Sequence, residues 1–376
     1  MPSSRPSADN TAWIESLSPW PADGFGTERM RALLSELGDP QERFPAIHVL
    51  GTNGKSTTTR LTEALLLDAG LAVGAYISPH VRGWSERIRA GGEEVDFDAA
   101  VAAVRSAAEQ LGATQFEALT AAALLAFGEA GVEVAVVEAG LGGRHDATNV
   151  LRTSVVVLTS VALDHMDVLG DTREAIAAEK LAVVQPGCTV VLGEPEWREL
   201  AAENGAGAVV VTGRSNLALA VAAAESFLGQ PVDPHAADRV TLPGRLERRG
   251  ENPLEIWDGA HNLAGVGWLL PRLPSRPTGG WTLVCSILRE KRPGMMLEAL
   301  SVLGPTLIAT ESRNGRVLPA DELAALASAH FAEVEAIRES AAARARALEL
   351  VGPEGAVLVT GSLYLLAELS DEFGDR

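Results

Sequence analysis

A mostly apolar five-residue run, Ala46–Leu50, ends on Gly51-Thr-Asn-Gly-Lys-Ser-Thr57 and leads into a stretch of helical character, Thr57–Ala69. A buried strand that turns through glycines into a helix commits the chain to a parallel α/β sheet flanked by crossover helices. The same unit suits phosphate. Its glycines let backbone N–H groups approach oxygen, and the helix N-terminus adds positive potential. In such loops a lysine, here Lys55, reaches the β/γ-phosphates, and Ser56 or Thr57 ligates Mg2+. Gly51, Thr52, Asn53 and Gly54 complete the cradle. The usual G-x-x-x-x-G-K-[ST] spacing is not met, because position 49 is valine.

The alternation continues along the chain. Strand candidates follow at Val73–Ile77, Val134–Glu138, Val155–Thr159 and Thr189–Leu192, with helix candidates at Phe97–Leu111, Glu117–Ala130 and Thr172–Val184. Asp96 or Asp98 suits the cap of Phe97–Leu111, and Asp171 that of Thr172–Val184. Pro243-Gly-Arg245 and the Arg/Glu stretch after it read as a linker. A second α/β series then runs through Leu254–Asp258, Thr282–Ser286, Thr306–Thr310, Val334–Ile337 and Ala356–Thr360, with helices at Asp321–Ala329 and Ala341–Leu350. The chain has 376 residues, more than one core usually holds. The expected architecture is a P-loop parallel-sheet ATPase domain over 1–242, a linker at 243–247, and a smaller Rossmann-like α/β domain over 248–376. The two would face each other across a hinge.

Charge narrows the function. The formal net charge of −19 argues against nucleic acid or an anionic membrane as partner, since both need clustered cations. No apolar run reaches the ~18 residues of a membrane helix. Met1–Asn10 reads as a frayed tail, not a signal peptide. Two isolated cysteines, Cys188 and Cys285, suit a reducing cytoplasm. Among 31 basic residues only Lys55, Lys180 and Lys291 are lysine. A chain so biased toward arginine keeps lysine where a compact ammonium or a modifiable amine is required.

Carboxylate and imidazole chemistry follows. Glu138 ends an apolar strand, where a carboxylate is costly unless paired or metal-bound. With Ser78 and His165 it makes an oxygen-and-imidazole set suited to Mg2+, although imidazole is less usual for that ion. Asp164 and Asp167 flank His165. Lys180 sits beside Glu179 on a helical stretch, where the plain alternative is a solvated ion-paired face.

Ten motifs occur in order: His48-Val-Leu-Gly-Thr-Asn-Gly-Lys55, Ile77-Ser-Pro-His80, Glu86-Arg-Ile88, Phe116-Glu-Ala-Leu-Thr120, Glu138-Ala-Gly-Leu-Gly-Gly-Arg-His-Asp-Ala-Thr-Asn149, Leu163-Asp-His-Met-Asp-Val-Leu-Gly-Asp-Thr172, Glu179-Lys180, Leu242-Pro-Gly-Arg-Leu-Glu247, Asp258-Gly-Ala-His-Asn262 and Gly361-Ser-Leu-Tyr364. From about Gly24 to about Glu368 the chain resembles the folylpolyglutamate synthase/dihydrofolate synthase family of the Mur ligase superfamily. The resemblance implies an ATP-dependent ligase adding L-glutamate to dihydropteroate or reduced folates through an acyl phosphate. It implies two Mg2+ ions held by Ser78, Glu138, His165 and the hydroxyls after Lys55, with Lys180 carbamylated. It places Asn216 on adenine, Arg245 on phosphate and Asp258 on ribose. Thr114, Phe116 and Asp146 would line a pterin pocket, and His261 and Ser362 would lie near the incoming glutamate. The implied partners are small molecules, and the implied state is a cytoplasmic monomer.

The chain also departs from that pattern. Ser56 stands where the family usually has glycine, His145 replaces a leucine, and a segment of a few dozen residues is missing between Thr212 and Asn216. Three other readings compete. A peptidoglycan-precursor Mur ligase carries a nucleotide-sugar domain before the loop, and about fifty residues precede Gly51 here. A non-catalytic nucleotide-binding relative would have lost one of Lys55, Glu138, His165 or Lys180, and all four are present. A simple kinase would lack the second α/β series.

Overall fold

The computed structural model describes residues 8–21, 24–275 and 277–372. It forms two α/β units. One takes the described residues through Ser78 together with Trp84–Val240; the other takes Pro79–Gly83 together with the described residues from Thr241.

The first unit carries β1 (Ala46–Leu50), β2 (Val73–Tyr76), β3 (Ile88–Ala90), β4 (Glu93–Glu94), β5 (Val134–Glu138), β6 (Thr153–Leu158), β7 (Thr189–Leu192) and β8 (Ala208–Val211), in sheet order β4-β3-β2-β5-β1-β6-β7-β8. From β2 to β8 every neighbouring pair is parallel, and β3 and β4 add an antiparallel edge. β1, β2 and β5 are buried at every position, as strands walled by helices on both faces must be. Side chains alternate between those faces. Ile47 and Val49 join Leu65, Leu66, Leu219 and Ala223, from helices Lys55–Asp68 and Asn216–Leu228. Ala46, Ala135 and Val137 join Val101, Leu119 and Phe127, from helices Phe97–Leu111 and Gln115–Ala130.

The second unit carries β9 (Glu247–Glu251), β10 (Leu254–Asp258), β11 (Trp281–Cys285), β12 (Thr306–Ala309), β13 (Glu333–Ala336) and β14 (Ala356–Thr360), ordered β13-β12-β11-β14-β10-β9. All pairs are parallel except β9 with β10. The two-part α/β architecture expected from the sequence is therefore the one observed.

Two details differ from the sequence reading. The Arg/Glu stretch taken as linker forms the edge strand β9 from Glu247 onward, where charge on the open side discourages pairing with another chain. Thr172, not Asp171, caps helix Arg173–Leu181: its hydroxyl precedes the first helical residue and accepts from Ala175 N–H at 3.1 Å. Asp96 caps Phe97–Leu111 as expected, accepting from Ala99 N–H.

Gly74 of β2 faces the Phe127 ring, whose atoms would lie 2.7–2.9 Å from an added Cβ. Gly74→Ala is predicted to cost about 2 kcal/mol by overpacking, lowering the urea midpoint without changing the slope. An unchanged midpoint would show that the ring yields freely.

Candidate active site

The parallel strands β1, β2, β5 and β6 all point their C-terminal ends to one edge of the sheet, the edge where open α/β sheets bind ligands. Each delivers a polar residue there as its apolar run stops. β1 runs into Gly51, with φ of +146°, where an added Cβ would overlap the Thr159 hydroxyl. Gly54, at φ +85°, turns the chain into helix Lys55–Asp68. Both positions demand glycine.

The loop between them is stitched to the residues after β6. Thr52 N–H donates to Ser160 O at 2.8 Å, Thr159 Oγ1 donates to Asn53 O at 2.7 Å, and Ala162 N–H donates to Thr52 Oγ1 at 3.0 Å. Ser56 is buried and Thr57 half-buried in the first helical turn. The Asn216 side chain lies against Gly54 from the first residue of its own helix.

Glu138 closes β5 at 1% exposure. Its Oε2 accepts from Ser78 N–H at 3.0 Å, and its Oε1 lies 3.8 Å from Lys55 Nζ. An ionised carboxylate there needs such partners to offset lost hydration. Lys180, next to last in helix Arg173–Leu181, is 4% exposed. Burial, reinforced by the Lys55 charge, pulls its amine from 10.5 down to about 7, against the opposing pull of Asp146, Asp164 and Glu179. His165 adopts a left-handed φ of +51° and opens the short helix Met166–Leu169, with its backbone N–H on Asp164 Oδ1.

The residues expected around a pterin take structural partners. Thr114 forms a capping box with Glu117 at the start of Gln115–Ala130, and Arg29 pairs with that glutamate at 3.0 Å. Asp146 is 5% exposed and turned into its own loop, accepting from Leu141 N–H at 2.7 Å, Thr148 N–H at 3.0 Å and the Thr148 hydroxyl. Phe116 covers Gly140, whose Cβ position lies 2.5 Å from the ring, and tilts over Tyr76. Farther along that loop, Gly143 sits too close to the Lys180 carbonyl for any side chain, and Arg144 N–H donates to Glu179 O.

In the second unit, Arg245, Asp258, His261 and Ser362 gather around one turn. Asp258 accepts from Leu246 and Ala260 N–H groups, both at 2.9 Å, and Arg245 Nη1 lies against Gly259. Gly259 N–H donates to Gly244 O, while His261 Nδ1 donates to Gly259 O. Ser362, 1% exposed, accepts from Tyr364 N–H at the start of helix Leu363–Glu372. Lys291 is buried.

Sequence reasoning missed Glu194. It is 2% exposed and holds Val161 N–H, Trp197 Nε1, Arg173 and Arg214. Its signal was available: like Glu138, it is an acid arriving as an apolar strand ends. Thr159 and Ser160 were also passed over as the close of a strand.

Two family models cover most of the chain, the Mur ligase middle domain over residues 49–232 and the Mur ligase, glutamate ligase domain over 244–363. The Escherichia coli dihydrofolate synthase/folylpolyglutamate synthase is 31% identical over 99% of this chain and 96% of its own length. The chain belongs to the folylpolyglutamate synthase/dihydrofolate synthase family. It spans about half, 49%, of a Halobacterium salinarum protein named "probable bifunctional folylpolyglutamate synthase/dihydropteroate synthase", to which it is 32% identical. The Mycobacterium tuberculosis folylpolyglutamate synthase complexed with ADP superposes with a TM-score of 0.89 at 28% identity, covering 97% of this chain and 98% of that one. A bifunctional folylpolyglutamate synthase/dihydrofolate synthase with Mn, AMPPNP and L-glutamate bound superposes at 0.86 and 30% identity, covering 99% and 100%. This synthase is thus an ATP-dependent ligase that works with a divalent cation.

Its donors fit a hard cation. The set is the Glu138 carboxylate with hydroxyl oxygens at the same strand edge. Among the described residues no three His, Cys, Asp or Glu side chains converge to hold a metal. The expected set draws only Glu138 and His165 from those types; its other expected members are Ser56 or Thr57, Ser78 and a modified Lys180. No helix among the described residues is long and apolar enough to cross a membrane.

Between about 7 and the ordinary 10.5, the folded Lys180 amine holds less proton than the unfolded one. Its contribution to stability therefore rises with pH across that window and is flat below it. Lys180→Met is predicted to remove this slope in urea titrations run in CO2-depleted buffer. A slope that survives would show that the folded amine is not depressed.

Proposed function

We propose that this synthase joins L-glutamate to both dihydropteroate and reduced folates, as a cytoplasmic monomer. The segment up to 242 would serve ATP and the pterin, and that from 248 the glutamate, with 243–247 as the join. Two buried free cysteines, Cys188 and Cys285, support a reducing compartment.

A carboxylate oxygen of the pterin substrate attacks the γ-phosphorus of ATP, and the bond to the β-phosphate oxygen breaks to give an acyl phosphate and ADP. The glutamate amine then attacks the acyl carbon, loses its proton, and phosphate departs. Backbone N–H groups of Gly51–Thr57 and the Lys55 ammonium hold the β/γ-phosphates and meet the charge that grows on the transferring group. Two Mg2+ ions, when bound at Ser56, Thr57, Ser78, Glu138, His165 and modified Lys180, would offset phosphate charge. Asn216 faces adenine, Arg245 phosphate and Asp258 ribose; His261 and Ser362 orient glutamate. Phe116 offers the pterin its face, and Thr114 and Asp146 hold the walls beside it.

One observation carries the catalytic reading: the buried amine of Lys180, whose proton is loosened by burial and by the Lys55 charge. A neutral amine adds to CO2, forming an N–C bond and releasing one proton, and the product is a carboxylate in electrostatic reach of Lys55. Arginine cannot do this.

The test is ADP release with glutamate plus either dihydropteroate or tetrahydrofolate. Turnover is expected with each, and none with either would sink the folate reading. Lys180→Arg should fold, bind ADP and lose at least a thousandfold in turnover; a fully active variant would refute the carbamate.

A further inference from the structure

His48 is the one polar side chain of β1, three positions before Gly51, and it is fully buried. Its Nε2 lies 2.7 Å from Thr148 Oγ1. Thr148 is equally buried, and its hydroxyl donates to Asp146 Oδ1. A hydroxyl has one proton. Having given it to the carboxylate, Thr148 can only accept from the imidazole. Nε2 therefore carries the ring hydrogen and Nδ1 is bare, and Nδ1 makes no hydrogen bond. Burial pushes the ring to about 3, so it stays neutral and the polarity of the chain is fixed.

We propose that His48 and Thr148 are positioning residues for pterin recognition. Their relay, Nε2–H to Oγ1–H to Oδ1, locks the Asp146 carboxylate and with it the Gly140–Asn149 loop beneath Phe116. The inference rests on the proposed pterin wall of Phe116 and Asp146. Asp146 is the hub of that loop: it ties Leu141 at one end to Thr148 at the other, and the loop's Gly140 backs the aromatic ring. Burial works against its charge, which hydrogen bonds from its own loop sustain. The relay adds a third anchor, from the rigid centre of the sheet. The strand that ends in the phosphate loop thereby also fixes the pterin wall.

The experiment compares KM for dihydropteroate and for ATP in four variants. His48→Leu and Thr148→Val remove the relay while keeping bulk. His48→Gln keeps an N–H at about the reach of Nε2, and Asp146→Asn tests the wall itself. His48→Leu and Thr148→Val should raise the pterin KM about tenfold, the weight of one hydrogen bond. The ATP KM should stay within twofold, and His48→Gln should bring the pterin KM most of the way back. Equal effects of leucine and glutamine, or a parallel rise in the ATP KM, would overturn the relay, because His48 would then only fill space in β1. A raised pterin KM in Asp146→Asn with His48→Leu unaltered would overturn the relay alone. An unaltered Asp146→Asn would overturn the pterin wall and the proposal with it. Should the variants not fold, the 15N spectrum of the wild-type imidazole decides: an Nε2–H tautomer is expected, and an Nδ1–H tautomer refutes the chain.

Discussion

A carboxylate held at 1% exposure at the end of β5 sets the terms for the rest of the site. Glu138 could not stay ionised there without compensation, since removing an ion from water costs several kcal/mol after relaxation. Ser78 N–H supplies one partner and Lys55 another. Lys55 in turn helps to discharge Lys180, so that the Glu138 and Lys55 charges offset each other and little net charge remains among the three groups. Conversion of Lys180 to a carbamate would reverse its sign and leave two carboxylates near one ammonium, an arrangement that calls for divalent cations. The phosphate loop and the Glu138 carboxylate are thus one electrostatic unit, assembled where neighbouring parallel strands end.

The sheet was legible because its strands are buried on both faces. Ala46–Leu50, Val134–Glu138, Thr189–Leu192, Leu254–Asp258 and Ala356–Thr360 are short runs in which apolar residues dominate, and each strand has those bounds in the structure. What escaped lay at or next to the edges: β3, β4 and β8 in the first sheet and β9 in the second. β4 is Glu93–Glu94, and β9 reads Glu-Arg-Arg-Gly-Glu. Edge strands need no apolar run, since solvent faces one side and charge protects the open backbone. Their pairing is set by neighbours, not by local pattern. The cap at Thr172 was missed by one position for a related reason, because Asp171 and Thr172 are both good caps and only the start of the helix chooses between them.

The candidate site was legible where chemistry is unusual for its setting. A lysine kept in an arginine-rich chain and an acid at the end of an apolar strand both pointed to the strand edge that the structure assembles. Residues with two plausible partners were less legible. Thr114 and Asp146 carry hydrogen bonds within their own segments, and a sequence cannot say whether a side chain turns toward its loop or its ligand. Glu194 shows the converse: it carried the same signal as Glu138, yet its cations, Arg173 and Arg214, come from segments that only the fold brings near.

On the proposed route, phosphate passes to a substrate carboxylate before the glutamate amine attacks it. Dihydropteroate labelled with 18O in both carboxylate oxygens tests it most directly. Attack by that carboxylate on ATP places one labelled oxygen in the bridging position, and departure of phosphate carries it away. The account predicts one 18O in the released phosphate per turnover and one retained in the product amide. Unlabelled phosphate, formed while amide product accumulates, would contradict it.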